Sequence, residues 1–442
     1  MAIAEYAFPG MHISDHFITV PLDWSRPDGG TIEVFAREVV DPTRKGDDLP
    51  ILCFLQGGPG GKSPRPTRDG PPWLVEALNT HRVILPDQRG TGRSTVIDGL
   101  TMDSFADGPA AADYLACFRA DSIVADFEHL RKTLFGDTRW QTLGQSYGGF
   151  LTLTYLSQSP SGLSACYVAG GLPSLNPSAD AVYRRTYPRV AAKNGRYYKR
   201  YPEDVARIGA LADFIGGNDV RLPDGDRLTV ERLQSLGLDF GMGSGFEHIH
   251  WLVDEAFAGP RQDHLSETFL ASVMNLTSFA GNQLFAALQE SIYGQGEAAT
   301  CWSAERLRGE FPAFAPDKRP LLFTGEMMYP WMFEQIASLR PFKMAVDALA
   351  TRPLCAKLYD RARLAANEVP VSAVIYHDDM YVDAGLSLET AAAVGNLDYW
   401  ITNEFEHDGI RQSPSVFQRL VSLVNEKGGP LPIVPTTGKR AS

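Results

Sequence analysis

One hexapeptide, GQSYGG at residues 144–149, constrains the fold of this chain more than any other feature. It follows an apolar run, residues 140–143, and precedes a helix-compatible run, residues 150–157. A serine flanked by glycines at this junction predicts a sharp turn from strand to helix, because only glycine leaves room for the close approach of the backbone. Such a turn holds the Ser146 hydroxyl out over the edge of a sheet. We therefore expect Ser146 to be a nucleophile.

A second glycine-rich loop, QGGPGG at residues 56–61, is placed to assist that nucleophile. It follows another predicted strand, and the N–H of Gly57 or Gly58 can be offered there without a side chain in the way. The helix after Ser146 directs its first N–H groups at negative charge that develops nearby, so the N–H of Tyr147 is the other expected donor. The pattern predicts an oxyanion hole.

The rest of the chain predicts a mostly parallel sheet. Continuous apolar runs separated by helical stretches are typical of parallel strands that are covered on both faces. An N-terminal hairpin is expected at residues 13–20 and 31–40, and further strands at 51–55, 82–85, 140–143, 165–169, 370–376 and 397–402. One helix is predicted around residues 123–134, with Asp121 or Ser122 as its N-cap and Gly136 as its end, and a last helix over 415–425.

A long insertion interrupts this pattern. Residues 172–369 contain helical segments broken by proline and glycine, and few convincing strands. We predict an α/β core made of residues 1–171 and 370–442, with a mainly helical cap, residues 172–369, between its two parts.

Composition excludes several classes of function. The 442 residues carry 41 Lys and Arg against 53 Asp and Glu, a net charge of −12, which argues against a nucleic-acid binder. Five cysteines without a CxxC pair indicate buried thiols in a reducing compartment, and the EHIH segment at residues 247–250 lacks the further ligands of a metal site. No basic, apolar leader or long apolar run is present, so we expect a cytoplasmic protein that binds no membrane. Its oligomeric state is left open.

Three blocks in this order carry a resemblance to a known family. The segments QGGPG at residues 56–60, DQRGTGRS at 87–94 and GQSYGG at 144–149 resemble the signature blocks of the prolyl aminopeptidase (proline iminopeptidase) family of α/β-hydrolases. In that family the glycine-rich motif often begins with His, where this chain has Gln56. The resemblance implies an α/β-hydrolase fold with a helical cap and no cofactor.

The same fold implies where the base and the acid lie. In α/β-hydrolases the acid and then the histidine follow the serine, so the base lies after the insertion, at His377 or His407. His407 follows the last predicted strand and is the expected base. Asp378, Asp379 and Asp383 all follow the strand before it. The family motif places its aspartate at Asp379, with Asp378 as the main alternative and Asp383 as the expected cap of the next helix.

The family also implies how a substrate amine is bound. Its members use glutamates of the cap for this task, and Glu326, in TGEMMY at residues 324–329, resembles the family's Glu-x-x-Tyr element. Glu290 is the expected second anchor, ahead of Glu247 and Glu297. Residues 203–334 hold 20 acidic and 9 basic side chains, a net charge of −11, so the acidity of the chain is concentrated where an ammonium group would enter.

Together these features imply a serine exopeptidase that removes an N-terminal residue, preferably proline, from short peptides with a free N-terminus. Ser146 would attack, His407 would transfer the proton, Asp379 would orient the imidazole, and Gly58 with Tyr147 would bind the oxyanion. An esterase, lactonase or amidase that acts on an uncharged acyl group is the alternative, favoured if Glu290 and Glu326 point away from Ser146. A catalytically silent scaffold is a further alternative.

Overall fold

A computed structural model describes residues 2–176, 178–259, 263–296, 298–354 and 356–433. Its nine-stranded sheet has the order β1-β2-β3-β5-β4-β6-β7-β8-β9. The strands are β1 (Ala4–Phe8), β2 (Met11–Pro21), β3 (Thr31–Val40), β4 (Ile51–Leu55), β5 (Arg82–Pro86), β6 (Trp140–Gln145), β7 (Leu163–Ala169), β8 (Val371–Tyr376) and β9 (Leu397–Thr402). Neighbouring strands along the part β5-β4-β6-β7-β8-β9 are parallel, and those along β1-β2-β3-β5 are antiparallel.

Helices surround this sheet. They are α1 (Pro72–Ala77), α2 (Gly99–Asp103), α3 (Gly108–Ala116), α4 (Ala120–Phe135), α5 (Tyr147–Gln158), α6 (Ala179–Arg200), α7 (Asp204–Gly217), α8 (Val230–Gln234), α9 (Gly245–Asp254), α10 (Glu267–Thr277), α11 (Gln283–Leu288), α12 (Ser303–Arg308), α13 (Met332–Gln335), α14 (Lys343–Ala350), α15 (Arg361–Ala365), α16 (Ala384–Ala393), α17 (Gly409–Gln412) and α18 (Pro414–Glu426). No helix in the described part of the chain is long and apolar enough to cross a membrane.

The buried strands separate two apolar layers. In β4 every residue is buried, yet alternate side chains enter different clusters, with Cys53 on one face and Leu52 and Phe54 on the other. Helices α4 and α5 supply apolar side chains to the first face, and α1 and α18 supply them to the second. The prediction of a mostly parallel sheet covered on both faces is therefore confirmed. A strand that is covered on both faces needs no polar alternation, which is why its sequence is a continuous apolar run.

One local prediction is wrong, and one strand lies outside the predictions. The unpredicted strand, β1, is an edge strand with four of its five residues exposed, so burial leaves no clear pattern in its sequence. Helix α4 begins at Ala120 with Arg119 as its N-cap, so neither Asp121 nor Ser122 caps it. Asp121 lies in the first turn, where a carboxylate is favoured by the positive end of the helix dipole. Gly136 ends the helix as predicted, with φ of 60°.

The predicted cap contributes none of the nine strands. Helices α6 to α15 lie between β7 and β8 in the chain, and the exact limits 172–369 stay a prediction. Within this segment α14 packs against α3 and α15 packs against α5, so its last part rests on the core.

The cysteine environments differ from one another. Cys53 and Cys166 are buried as predicted, whereas Cys117 is half-buried and Cys301 is exposed, and all four are free thiols. Cys355 lies outside the described residues. The expectation that the thiols are buried is therefore wrong for Cys301, which sits in a surface loop before α12.

Helix α5 crosses the sheet at backbone contact. A Cβ atom at Gly148 would lie 1.9 Å from the Leu55 carbonyl oxygen, and one at Gly149 would lie 2.2 Å from that of Gly171. Since both neighbours are backbone atoms, neither can move without shifting a strand or loop. The glycines of residues 144–149 are thus required by packing as well as by the turn.

This contact predicts opposite effects of two glycine substitutions. Gly148→Ala should destabilise the protein by at least ~1–3 kcal/mol, because the added methyl group overlaps the β4 backbone. Gly195→Ala, on an exposed turn of α6 with nothing within 4 Å of the added atom, should stabilise it by about 0.5–1 kcal/mol through helix propensity. Thermal unfolding of both variants measures the difference. Equal melting temperatures would contradict the packing account.

Candidate active site

Ser146 occupies a strained turn between β6 and α5. Its φ is 57° and its ψ is −125°, a conformation that costs a non-glycine residue about 1–3 kcal/mol. The Ser146 N–H donates to the Ala169 carbonyl at 2.9 Å, and the glycines on both sides allow the close approach of α5. The surrounding packing thus holds the serine in a conformation that presents its hydroxyl at the end of the parallel strands, as the sequence predicts.

The structure brings three predicted residues together. His407 Nε2 lies 2.8 Å from Ser146 Oγ, and His407 Nδ1 lies 2.6 Å from Asp379 Oδ2. The other Asp379 oxygen accepts the N–H groups of Tyr381 at 2.8 Å and Val382 at 3.1 Å. Because a carboxylate only accepts, the tautomer that fits has a proton on Nδ1, and Nε2 is then free to accept from the serine.

The alternative acids have other partners. Asp378 accepts two hydrogen bonds from the Arg196 guanidinium at 2.7 and 3.1 Å, and this contact lowers the pKa of Asp378 to about 2. Asp383 accepts the Leu386 N–H at 3.0 Å and caps α16, as the sequence predicts. Of the three carboxylates, Asp379 is the one that reaches the imidazole.

The imidazole lies in a field of opposing charges. Burial lowers the pKa of His407, but the Asp379 carboxylate at hydrogen-bond distance raises it by more, and Glu326 adds to that effect. Arg411 acts in the opposite direction. The net pKa of His407 lies above its ordinary value, which suits a base that must hold a proton in the middle of a reaction.

The two expected oxyanion donors border the serine. Tyr147 is the first residue of α5, so its N–H has no acceptor within the helix. Gly58 has φ of 130° and lines the same pocket as Ser146. A Cβ atom at Gly57 would lie 2.9 Å from Ser146 Cβ, which shows how closely the glycine-rich loop approaches the nucleophile.

A pocket opens over these groups. Its apolar wall comes from the insertion, and its reactive groups come from both parts of the core. Leu238, Met242 and Phe285 form the apolar part of this wall. The side chains of Glu326 and Arg411 also line it.

Glu326, which the family resemblance predicts to bind the substrate amine, lines the pocket that also contains Ser146 and His407. The residue is half-buried because part of it borders the pocket, and burial of the carboxyl group raises its pKa to about 8. The charge of Asp379 acts in the same direction, whereas His407 and a hydrogen bond from Gln289 lower this pKa. Gln289 is fully buried and also donates to the Tyr293 hydroxyl at 3.3 Å. The site therefore holds a buried carboxyl group that is neutral near pH 7 when no cation is bound.

Glu290 is not brought to this pocket. Its Oε2 accepts the Ala304 N–H at 3.2 Å at the start of α12, and burial raises its pKa. The expectation that Glu290 binds the substrate amine is thus not supported by its position, which instead anchors a helix terminus. Glu247 forms a surface ion pair with Arg200, and Glu297 lies outside the described residues.

Sequence reasoning did not identify two polar residues of the site. Arg411 follows His407 by four residues and lines the pocket, and its position just after the base is the signal that was available. Gln289, next to Glu290 in the chain, is the residue that turns toward Glu326. No motif distinguishes it, since the packing of the insertion decides which of the two neighbours turns toward Glu326.

Helix α6 holds the loops that carry the acid and the base. Lys193, which is buried, forms an ion pair with Glu406, the residue before His407. Arg196, one turn further along, holds Asp378, the residue before Asp379. The insertion also provides the Gly241 carbonyl that accepts the His407 N–H at 3.0 Å. The positions of acid and base thus depend on contacts with the insertion.

Comparison with known proteins agrees with this geometry. Residues 50–214 match the family model described as alpha/beta hydrolase fold. A protein named proline iminopeptidase from Aeromonas sobria is 46% identical over 422 residues, which cover 95% of this chain and 98% of that protein. A second protein of that name, from Aspergillus aculeatus, is 35% identical over 92% of each chain. The fold, the serine turn and these two nearly full-length matches show that the chain belongs to the proline iminopeptidase family of α/β-hydrolases.

Proposed function

We propose that this protein is a serine aminopeptidase that releases an N-terminal residue, preferably proline, from short peptides through an acyl-enzyme. One observation carries the proposal: a buried carboxyl group, Glu326, lines the pocket that also contains Ser146 and His407. The names of the relatives from Aeromonas sobria and Aspergillus aculeatus support the choice of proline.

The first half of the reaction forms the acyl-enzyme. Ser146 Oγ attacks the carbonyl carbon of the N-terminal residue while His407 Nε2 takes the hydroxyl proton. The oxyanion that forms is bound by the N–H groups of Gly58 and Tyr147, and Asp379 stabilises the imidazolium. His407 then gives the proton to the leaving nitrogen, the C–N bond breaks, and the shortened peptide departs.

The second half returns the enzyme to its starting state. Water donates a proton to His407 as its oxygen attacks the ester carbon, and a second oxyanion forms in the same place. His407 returns that proton to Ser146 Oγ as the ester bond breaks. The free amino acid leaves, so one water is consumed for each peptide bond cleaved.

Glu326 would make the reaction selective for free N-termini. Because its pKa is raised to about 8, the empty pocket holds a neutral acid that has little to gain from an uncharged ligand. An ammonium group restores the ionised form and pairs with it at low dielectric, which strengthens the contact. An acylated N-terminus lacks that charge and leaves a buried carboxyl group without a cation, so a site built in this way rejects it.

Substitution of the three reacting groups tests the chemistry. Ser146→Ala should abolish turnover of prolyl p-nitroanilide, and Asp379→Asn should lower kcat on the order of 10⁴-fold, because the wrong imidazole tautomer is then favoured. Asp378→Asn is the matched comparison and should lose far less activity, because Asp378 pairs with Arg196 and supports the loop without contacting the imidazole. Steady-state kinetics on variants with unchanged thermal unfolding measures this. Equal losses in the two aspartate variants would contradict the assignment.

Substitution of Glu326 tests the selectivity. The wild-type enzyme should cleave prolyl p-nitroanilide and leave the N-acetyl-prolyl compound intact. Glu326→Gln should reduce kcat/KM for the free amine by about 10²-fold, as expected when one member of a buried charge pair is lost. A p-nitrophenyl ester, which lacks the amine, should be affected far less.

Glu290→Gln is the control for that experiment, because Glu290 holds the start of α12 outside the pocket. It should keep the discrimination between free and acetylated substrates. Equal rates of the wild-type enzyme on prolyl p-nitroanilide and N-acetyl-prolyl p-nitroanilide would contradict the aminopeptidase proposal and favour an esterase or amidase.

The charges around the imidazole predict a pH dependence. The base acts only when neutral, so kcat/KM for a p-nitrophenyl ester should rise with pH through a pKa above the ordinary 6.5 of histidine. The Asp379 carboxylate, 2.6 Å from His407 Nδ1, is the main cause of this raised pKa. Initial rates from pH 5 to 9 measure the position of the acid limb. An acid limb at or below pH 6.5 would contradict this account of the charges around the imidazole.

A further inference from the structure

We propose that Arg411 binds the C-terminal carboxylate of dipeptide substrates, so that the preferred substrates are Pro-Xaa dipeptides with a free carboxylate. The inference rests on the proposed aminopeptidase function and adds to it the class of leaving group. It assigns a second subsite to the pocket over Ser146, in which the Arg411 cation complements the acidic side chain of Glu326.

Arg411 lies beside both the nucleophile and the base. It belongs to the short helix α17 (Gly409–Gln412), which begins two residues after His407. Its Nη2 donates to the side-chain oxygen of Gln145 at 2.7 Å, and Gln145 precedes Ser146 at the end of β6. The Arg411 side chain lines the same pocket as Ser146 and His407. A guanidinium group is therefore held at the mouth of the active site.

The guanidinium has capacity for a further partner. Within the described part of the chain, no carboxylate lies within ion-pair distance of Arg411, and Gln145 is its one side-chain acceptor. Asp408 is the acid that interacts with it most strongly, but Asp408 Oδ1 already accepts the Gly243 N–H at 3.0 Å and Gln412 Nε2 at 2.8 Å. A guanidinium offers five N–H donors in a planar fork that matches a carboxylate.

The reaction places a carboxylate near this cation when the substrate is a dipeptide. His407 must protonate the leaving nitrogen, so the leaving group lies on the His407 side of the scissile bond. When that group is a single amino acid, its carboxylate carbon is two bonds from the scissile nitrogen, roughly 2.5 Å away. Each further residue moves the carboxylate by about 3.3–3.6 Å. A cation next to the base therefore recognises the dipeptide best.

The two charged side chains of the pocket match a zwitterion. Glu326 comes from the insertion and suits the ammonium group, whereas Arg411 comes from the loop after the base and suits the carboxylate. A dipeptide carries both charges at its two ends. A longer peptide or a prolyl arylamide presents the ammonium group alone at the same distance, and Arg411 then keeps only Gln145.

A pair of substrates tests the inference. Prolylglycine and prolylglycinamide differ only in the negative charge at the C-terminus, and prolyl p-nitroanilide reports separately on the proposed function. We expect wild-type kcat/KM to be about tenfold or more higher for prolylglycine than for its amide, as expected for one charge-assisted contact. In Arg411→Gln the ratio should fall to near one, and Arg411→Lys should keep part of it.

Arg419→Gln is the matched control, because Arg419 pairs with Glu426 on the surface of α18 and should leave the ratio at its wild-type value. Arg411 also contacts the neighbour of Ser146, so a merely structural role would slow both substrates alike and preserve the ratio. That result, or a wild-type ratio near one, would overturn the inference. If the inference about Arg411 fails, cleavage of prolyl p-nitroanilide in the same assay would still support the aminopeptidase function. No cleavage of prolyl p-nitroanilide would count against the aminopeptidase function.

Discussion

Helix α5 packs against the sheet at backbone contact, and this contact determines both the packing of the core and the conformation of Ser146. Glycines at positions 144, 148 and 149 let α5 approach β4, β6 and β7 so closely that no Cβ atom fits between them. The turn into α5 then holds Ser146 at φ of 57°, and the same helix start offers the Tyr147 N–H. The strained serine, the free N–H at the start of α5 and the packing of the core are thus consequences of one contact. Strain of this kind persists because the surrounding core determines the conformation.

The insertion completes a site that the core begins. The core places Ser146, Asp379 and His407 at the ends of its parallel strands. The insertion adds the Glu326 carboxyl group and the apolar wall. Its helix α6 also holds the residues that precede Asp379 and His407 through two ion pairs. The lining of the pocket and the positions of Asp379 and His407 therefore depend on the same packing interface between the insertion and the core.

The sequence predicted the parts of the site that local rules control. The glycine pattern around Ser146 predicts one local structure, a sharp turn from strand to helix. The order of the residues in the chain leaves two histidines after the insertion, and His407 is the one that contacts the serine. The position of Glu290 did not follow from the sequence, because the packing of α11 and α12 turns Gln289 toward Glu326 instead. The N-cap of α4 and the exposed strand β1 were missed for a similar reason, since neither has a distinctive local signal.

In the proposed mechanism one pocket presents the Ser146 nucleophile to the carbonyl group and the Glu326 carboxylate to the amine of the same N-terminal residue. A crystal structure of Ser146→Ala with prolylglycine bound would test this arrangement. We expect the pyrrolidine nitrogen at hydrogen-bond distance from Glu326 and the scissile carbonyl oxygen facing the N–H groups of Gly58 and Tyr147. A dipeptide whose amine points away from Glu326, or whose carbonyl group lies outside the reach of residue 146, would contradict it.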